Sequence, residues 1–493
     1  MIKASLPHPW LTCAAAGALA VAGFGDWPLW PLPILSLAFL FRESLRATSA
    51  KKAFVLGFSW GVTFFLCGVS WVYVSLHTFG MMPAALAALG TLLFCLFLAL
   101  FPAVTSYLLR RIELPPAIAL LVLAPAAWAL NEWIRGWIFT GFPWLALGYS
   151  QIDGPLEGYA PLIGVFGISL ASGIWASALA LLVEYRTHRL AIAFLIGIPV
   201  IGLLCDRIEW TEGKRAPISV ALIQGNIPQS LKFVPGRYES TLRTYAKLAE
   251  EAQAKLIVLP EIAIPRLLSN VDPAYLERLR GYALAQSGDM ILPVPLMDEA
   301  GAYYNAAISI GSSPTQQYAK SHLVPFGEFV PPGFGWIIHI LHIPMSDFGR
   351  GGETQQPLRI AGEAVAINIC YEDAFGEEII RQLPEASLLV NVSNVAWFGD
   401  SLAPAQHLKI SRMRAIETRR YMLRATNTGV TAIIDARGEV TARLPTFNEG
   451  VLHGEARGHT GATPFVRIGN WATVSAASLM FAFAWAKSRR RKT

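Results

Sequence analysis

Charged residues are scarce in this sequence. They make up 15% of 493 residues, against about 25% in an ordinary soluble protein, while 54% of the residues are hydrophobic and the mean hydropathy is +0.43. Charge is sparsest before about residue 205, and an apolar run with a basic tail closes the chain. This distribution predicts a membrane bundle over residues 1–210, a globular domain over 211–460, and a membrane helix with its tail over 461–493.

The predicted globular domain also lacks a pair of cysteines. Of the five cysteines only Cys370 lies in it, which excludes a disulfide framework there. The chain has no GxGxxG motif, no P-loop and no pair of histidines at metal-ligand spacing, so we expect neither a cofactor nor a metal. The net charge of +6 does not indicate a nucleic-acid partner, because much of the excess lies beside apolar segments.

About eight apolar segments are predicted to span a membrane. They cover roughly residues 10–25, 28–41, 53–75, 83–109, 115–131, 161–183, 189–205 and 468–486. The first two are short for spans that need about 20 residues, and the opening run has an alternative interpretation as a cleaved signal peptide. We favour a retained helix, because further apolar spans follow at once.

Basic residues alternate between the connections of these spans. They lie after spans two, four, six and eight: Arg42, Arg46, Lys51, Lys52, Arg110, Arg111, Arg186, Arg189, Lys487, Arg489, Arg490, Arg491 and Lys492. The positive-inside rule then predicts cytoplasmic termini and a globular domain on the opposite face, which is periplasmic in a bacterium. The outward connection 132–160 is aromatic and rich in turn residues, which indicates either an interfacial anchor or a substrate contact.

The globular domain alternates strands and helices, but its strands also come in adjacent pairs. Strands are predicted at 218–224, 256–260, 290–296, 303–310, 364–369, 387–393, 429–434 and 439–443, and helices at 236–253, 273–287 and 404–420. This order favours a layered α/β sandwich over a simple doubly wound sheet.

Three chemically distinctive residues each follow an apolar strand candidate. Glu261 follows LIVLP, Lys320 lies in YAKSHLVPFGEFVPP, and Cys370 follows AINI. A thiolate is a nucleophile, a carboxylate can take its proton, and an ammonium can stabilise an oxyanion. From the residues alone, a buried structural cysteine and a surface Glu–Lys ion pair remain open as alternatives.

Several longer strings resemble those of one family. WVYVSLHTFG (71–80), FTGFPW (139–144), GYSQIDGP (148–155), QGNIPQSLKF (224–233), KSHLVPFGEFVP (320–331), ICYE (369–372) and SNVAWFG (393–399) are similar to the apolipoprotein N-acyltransferases of the bacterial inner membrane, which belong to the nitrilase superfamily. The resemblance covers nearly the whole chain. It implies a polytopic α-helical membrane bundle plus an α/β nitrilase-like α-β-β-α sandwich domain with a Glu-Lys-Cys triad.

The resemblance also implies roles for single residues. Glu261 is then the general base, Lys320 the oxyanion stabiliser and Cys370 the nucleophile. Supporting positions follow from the same motifs: Glu328 near Lys320, Tyr371 and Glu372 beside the nucleophile, and Asn394 and Trp397 in the wall of the site, with Trp397 expected to pack rather than react. Val395 stands where the family commonly has Asp, and Phe233 where it often has Trp.

The implied reaction is a two-step acyl transfer. A phospholipid, expected to be phosphatidylethanolamine, donates an acyl chain to the cysteine, and the N-terminal α-amine of a diacylated apolipoprotein accepts it. One alternative is a membrane-anchored amidase or nitrilase that passes the acyl group to water. Another is a transporter with an outward binding domain, which the scarcity of charges within the spans disfavours.

Two further segments have open interpretations. The run from Pro331 to Pro344 is apolar and could be a core helix, although we favour a loop that dips into the membrane. The arginine-rich helix near 404–420, with Arg412, Arg414, Arg419 and Arg420, could meet lipid head groups, although we favour a solvated face.

Overall fold

The computed structural model describes residues 8–185, 188–232, 234–330 and 347–491. The chain divides into two compact units. We call the first the helical unit, which comprises Met1–Tyr73, Pro83–Glu209 and Ile468–Thr493. The second is the sandwich unit, which comprises Val74–Met82 and Trp210–Arg467. Phe233 and the apolar run 331–344 lie outside the described residues, so our interpretations of both stay predictions.

The helical unit contains a helix at each of the eight predicted spans. The main helices are Pro9–Ala20, Pro31–Arg46, Ala50–Val69, Ala84–Arg111, Ala124–Arg135, Ala160–Tyr185, His188–Asp206 and Trp471–Arg489. Among the described residues, five segments are long and apolar enough to cross a membrane: Ala50–Val69, Ala84–Arg111, Pro116–Arg135, Glu157–Glu184 and Arg189–Asp206. This membrane character confirms the predicted class, while the number of spans stays a prediction.

Local sequence explains where these helices begin and how two of them pack. Pro9 and Pro31 each occupy a first helical position, where no N–H is needed, and the Ser49 side chain accepts a hydrogen bond from the Lys52 N–H. A Cβ on Gly57 would lie 2.5 Å from the Pro102 carbonyl oxygen of helix Ala84–Arg111. Glycine therefore permits the close approach of the two helices.

The connection after helix Ala124–Arg135 packs inside the helical unit. The Arg135 guanidinium donates to the carbonyl oxygens of Phe142 and Trp144 at 2.7 and 2.5 Å. Glu132 Oε1 accepts the N–H of Leu147 at 2.9 Å. Trp144 is buried. These contacts give the aromatic connection a structural role within the helical unit, and its two predicted roles, interfacial anchor and substrate contact, stay predictions.

The sandwich unit carries the strands of the described chain. They are β1 Thr211–Gly213, β2 Ile218–Gln224, β3 Leu256–Val258, β4 Asp289–Pro293, β5 Leu296–Met297, β6 Tyr303–Tyr304, β7 Ala306–Gly311, β8 Gln317–Ala319, β9 Leu358–Ile360, β10 Glu363–Ile369, β11 Leu388–Ser393, β12 Met422–Thr426, β13 Ala432–Ile434, β14 Val440–Arg443, β15 Gly450–Ala456 and β16 His459–Gly461. Its main helices are Tyr238–Glu251, Pro273–Ala285 and Ala403–Thr418, with short ones at Gly376–Ile379 and Pro464–Ile468.

Within the described residues the strands form two six-stranded sheets and two small ribbons. One sheet has the order β15-β2-β3-β4-β7-β8 and the other β14-β13-β12-β11-β10-β9, while β1 pairs with β16 and β5 with β6. The central strands β2-β3-β4 and β10-β11-β12 are parallel, and the remaining pairs of the two sheets are antiparallel. The carboxyl ends of the parallel strands are where such sheets present reactive side chains.

Three apolar layers hold the sheets and helices together. Val220, Val258, Val365 and Val390 belong to one core cluster formed by both sheets. Helices Tyr238–Glu251 and Pro273–Ala285 cover the outer face of the first sheet, and helix Ala403–Thr418 covers the second. Alternate residues of each central strand face opposite layers, which is why these strands read as continuous apolar runs. The predicted α-β-β-α sandwich is confirmed.

One prediction about this unit is wrong. The arginines of the segment 412–420 do not form a solvated face, because Arg414, Arg419 and Arg420 are all buried. Arg414 Nη2 donates to Glu417 Oε1 at 2.8 Å, and the Arg420 guanidinium donates to the carbonyl oxygens of Ala386 and Gly461. Arg414 thus pairs with a neighbour on its own helix, whereas Arg420 finds main-chain acceptors that are distant in the sequence, which no local pattern reveals.

Candidate active site

Cys370 lies at the turn where β10 ends. It begins the short 3-10 helix Cys370–Ala374 and has a positive φ of 54°, a conformation that is uncommon for a residue other than glycine. Its side chain is 9% exposed. The apolar strand before it fixes its depth in the sandwich, and the sharp turn places the buried thiol at the strand end. Strained backbone of this kind is concentrated at functional sites.

Glu261 and Lys320 face each other beside this turn. Glu261 comes three residues after β3, Lys320 follows β8 directly, and both are buried. Lys320 Nζ lies 3.5 Å from Glu261 Oε1. The charges of both residues act on Cys370. The structure thus brings together the three residues that the sequence analysis singled out.

Asn305 and Glu328 complete the surroundings of the lysine. Lys320 Nζ donates to Glu328 Oε1 at 2.8 Å. The Asn305 amide nitrogen donates at 2.8 Å to both Glu261 Oε1 and Glu328 Oε1. Glu328 Oε2 accepts the Val324 N–H. Two carboxylates therefore share one lysine and one amide, which keeps each of them hydrogen-bonded without a direct contact between like charges.

Burial and charge determine the protonation of the site. Burial and the Glu261 carboxylate raise the pKa of the Cys370 thiol above its ordinary value, while Lys320 opposes the rise. For Lys320, burial lowers the pKa, but Glu328 and Glu261 outweigh it and the pKa is raised. The resting site therefore contains a thiol and an ammonium. A thiol in this state needs a base before it can attack, and Glu261 is the carboxylate positioned to serve.

Glu372 connects the nucleophile turn with the segment that follows Lys320. Its Oε2 accepts the Ile369 N–H at 2.7 Å, and its Oε1 accepts the N–H groups of Ser321 and His322 at 2.7 and 3.0 Å. The Tyr318 hydroxyl donates to the same carboxylate. Glu372 is buried. Through these contacts Glu372 connects the end of β10 to the segment that follows Lys320.

Asn394 contributes through its main chain and its side chain. Its N–H donates to Glu261 Oε2 at 2.8 Å and also interacts with Cys370. Its side-chain amide donates to Gln229 Oε1 and accepts from Asn427. This N–H links the base and the nucleophile, so the turn after β11 helps to set the geometry of both.

Tyr371 and Trp397 lie in aromatic surroundings. The Tyr371 ring is 5.1 Å from the Phe375 ring and 5.8 Å from the His322 ring. Trp397 is 38% exposed, and its ring lies 6.0 Å from that of Phe79 in the Val74–Met82 segment of the same unit. The Ser75 hydroxyl donates to the Trp397 carbonyl oxygen at 2.8 Å. These contacts support a packing role for Trp397.

Sequence reasoning missed Asn305 and Lys232. Asn305 directly precedes β7 and carries no local motif. Lys232 lies in the QGNIPQSLKF string, which was the available signal, and its Nζ donates to the Glu261 carbonyl oxygen at 2.9 Å. Burial lowers the pKa of Lys232 to about 8, against the opposing effects of Glu261 and Cys370. A second cation thus lies behind the candidate base.

Comparisons with known proteins address the origin of this arrangement. A family model described as "Apolipoprotein N-acyltransferase N-terminal domain" matches residues 16–179, and one described as "Carbon-nitrogen hydrolase" matches residues 219–464. An apolipoprotein N-acyltransferase of Nitrosomonas europaea is 50% identical over 461 residues, covering 92% of this chain and 93% of that relative. The chain belongs to the apolipoprotein N-acyltransferase family. A relative of the same name from Ralstonia nicotianae is 42% identical over 487 residues, covering 97% and 93% of the two chains.

A solved structure overlaps with part of the chain. The NitFhit protein of C. elegans has a TM-score of 0.39 and 20% sequence identity, covering 51% of this chain and 62% of that protein.

Membership of the apolipoprotein N-acyltransferase family decides between two of the predicted activities. The match to the carbon-nitrogen hydrolase model spans the strands that carry Glu261, Lys320 and Cys370. The near full-length relatives are named as acyltransferases, which supports acyl transfer over hydrolysis. The chain is therefore an enzyme of the acyltransferase type.

Proposed function

We propose that the protein transfers an acyl chain from a phospholipid to the N-terminal α-amine of S-diacylglyceryl-cysteine on apolipoproteins, through a thioester on Cys370. The observation that supports this most directly is the cluster of a buried carboxylate, ammonium and thiol, in which Glu261 and Lys320 both act electrostatically on Cys370. The names of the relatives supply the acceptor class, which the cluster alone does not specify.

In the first step Cys370 Sγ attacks an ester carbonyl carbon of the phospholipid. Glu261 takes the thiol proton, and Lys320 stabilises the oxyanion of the tetrahedral intermediate. The carbon–oxygen ester bond then breaks, and Glu261 returns the proton to the departing oxygen. A lysophospholipid leaves, and the acyl group remains on Cys370 as a thioester.

In the second step the α-amine of the apolipoprotein attacks the thioester carbonyl carbon. Glu261 takes a proton from the attacking nitrogen and returns it to the departing Cys370 sulfur, while Lys320 again stabilises the oxyanion. The products are an amide and the free thiol. The thioester stores the acyl group, so the transfer needs no ATP.

Location and donor follow from the same proposal. Under the positive-inside rule we place the enzyme in the bacterial inner membrane, with both termini cytoplasmic and the catalytic region periplasmic. Along the sequence this corresponds to a membrane bundle over 1–210, a catalytic domain over 211–460, and a closing helix with its tail over 461–493.

Phosphatidylethanolamine is the proposed donor. Glu328, Tyr371, Glu372, Asn394 and Trp397 are proposed to support the site.

Intact-protein mass spectrometry tests the covalent step. The purified enzyme is incubated with phosphatidylethanolamine vesicles, and wild type is compared with Cys370→Ala, Glu261→Gln and the matched control Cys205→Ala. We expect a hydroxylamine-sensitive gain of one acyl chain on wild type and on the control. Cys370→Ala should gain none, and Glu261→Gln should acylate about 100-fold more slowly or worse. Acylation that persists in Cys370→Ala contradicts the proposal.

Steady-state kinetics test the order of the two steps. A thioester intermediate predicts ping-pong behaviour, with parallel lines in a bisubstrate plot of phospholipid against apolipoprotein peptide. Intersecting lines argue for direct transfer instead. Replacing phosphatidylethanolamine with phosphatidylglycerol in the vesicles measures the donor preference, and equal rates argue against phosphatidylethanolamine as the preferred donor.

A further inference from the structure

A buried polar row crosses three neighbouring strands behind the nucleophile turn. Asn368 on β10 is aligned with Asn391 on β11, and Asn391 is aligned with Arg424 on β12. These side chains project from the sheet face that helix Ala403–Thr418 covers, and each is at most 1% exposed. Polar groups buried this deeply are costly unless they are hydrogen-bonded, so their presence calls for a reason.

The row ends on the main chain of Cys370. Arg424 Nη1 donates to Asn391 Oδ1 at 2.7 Å. The amide nitrogen of Asn391 donates in turn to Asn368 Oδ1 at 2.6 Å and to the Cys370 carbonyl oxygen at 3.1 Å. Arg424 and the Ser393 hydroxyl, at 2.6 Å, both donate to Asn391 Oδ1, so together they fix the orientation of that amide and direct its donor end at Cys370.

The same arginine also holds the other end of the turn. Asp373 lies three residues after Cys370, and its Oδ2 accepts from Arg424 Nη1 at 3.2 Å and from the Ser411 hydroxyl at 2.5 Å. His407 Nε2 lies 2.8 Å from Asp373 Oδ1, and His407 also interacts with the Cys370 backbone. The turn is therefore held at its first and fourth residues by side chains from β11, β12 and the covering helix.

Charge within this cluster is balanced. Burial raises the pKa of Asp373, but His407 and Arg424 outweigh it and lower the pKa. Burial and Arg424 lower the pKa of His407, which favours the neutral imidazole. The cluster thus contains one arginine cation and one aspartate anion. It can orient the turn without adding a net charge beside the thiol.

We propose that Arg424, Asn391 and Asp373 are positioning residues for the acylation step. They hold the Cys370 backbone in its left-handed conformation, so that Sγ faces Glu261 and the Asn394 N–H. A turn with positive φ at a cysteine is strained and persists only when its surroundings determine it. This inference rests on the proposed role of Cys370, and it adds a cluster that is buried behind the nucleophile turn.

The test compares Arg424→Met with Arg420→Met in the full-length enzyme. Arg420 is an equally buried arginine, but its guanidinium donates to the Ala386 and Gly461 carbonyl oxygens rather than to the nucleophile turn. A misplaced nucleophile reacts about 100-fold more slowly, so we expect Arg424→Met to lower the acylation rate and kcat by about that factor. The KM for each substrate should change less than about threefold, and Arg420→Met should acylate at nearly the wild-type rate.

Asn391→Asp is the second variant, because Arg424→Met could fail to fold. The substitution keeps the size of the side chain and the acceptor for Arg424, but it places an oxygen against the Cys370 carbonyl oxygen. We expect a comparable loss of acylation and a slower reaction of Cys370 with iodoacetamide. Wild-type acylation by folded Asn391→Asp overturns the proposal, as does wild-type acylation by folded Arg424→Met.

Cys370→Ala separates the failure of this inference from the failure of the proposed function. If Cys370→Ala still forms the acyl-enzyme, the nucleophile itself is wrong. If Cys370→Ala is inactive while Asn391→Asp acylates normally, the nucleophile stands and only the positioning role is lost.

Discussion

Glu372 shows how a single carboxylate can organise a site without taking part in the chemistry. It accepts main-chain N–H groups from both Ile369 and Ser321, although these residues lie 48 positions apart by their numbers in the chain. One of them leads directly to Cys370 and the other follows Lys320. The relative position of the nucleophile and the ammonium therefore depends on this one side chain.

Replacing this carboxylate with its amide tests that dependence. In either orientation of Glu372→Gln, the new NH2 group faces at least one main-chain N–H that the carboxylate now accepts. We expect a loss of about 1–3 kcal/mol in unfolding free energy and a lower kcat. Thermal denaturation and a turnover assay measure both effects. The control is Glu377→Gln, at an exposed position. If the two variants have the same stability and the same kcat, Glu372 does not connect the two segments as described.

At the scale of elements, helix Ala403–Thr418 is the clearest difference between sequence pattern and structure. Its charged residues suggested a solvated face, yet Lys409, Arg414 and Glu417 are buried. The apolar period of a surface helix is weak here because nearly all of the helix is buried, and it contacts the polar row of the sheet through Ser411 as well as an apolar layer. A buried helix that covers a polar cluster can therefore have the charged composition that is typical of a solvent-exposed helix.

The buried pair Arg414–Glu417 on this helix gives a prediction about stability. Arg414→Met removes a cation and a hydrogen-bond donor from the buried Glu417 carboxylate, so it should destabilise the protein by about 3–5 kcal/mol. The double variant Arg414→Met with Glu417→Leu should recover part of that loss, because no lone charge remains buried. Denaturant titration measures the difference, and Arg381→Met is the exposed control. If Arg414→Met is as stable as Arg381→Met, the buried Arg414–Glu417 pair does not stabilise the protein.

At the scale of the whole molecule, the distribution of basic residues predicts the membrane topology. The exposed Glu299 should be reachable from the periplasm after substitution by cysteine, whereas the Arg490 position should be reachable only after the membrane is permeabilised. Labelling of Glu299→Cys and Arg490→Cys with a membrane-impermeant maleimide in spheroplasts measures this. Labelling of Arg490→Cys in intact spheroplasts contradicts a cytoplasmic C-terminus.

The sequence by itself determined the class of the molecule and singled out Glu261, Lys320 and Cys370 as candidate site residues. Apolar runs, their lengths and the polar residues at their ends are local properties, so β2, β10 and β11 and the positions of Glu261 and Cys370 could be read directly. The family resemblance then gave the roles that spacing alone left open.

Only the tertiary structure decided how these residues are held. The Glu261 carboxylate accepts from Asn305, Lys320 and the Asn394 N–H. The Cys370 carbonyl oxygen accepts from Asn391, and Arg424 donates to both Asn391 and Asp373. These groups come from strands and turns of both sheets that are distant in the chain. A hydrogen bond depends on distance and direction in space, and no local pattern of residues encodes either for segments that meet only after folding.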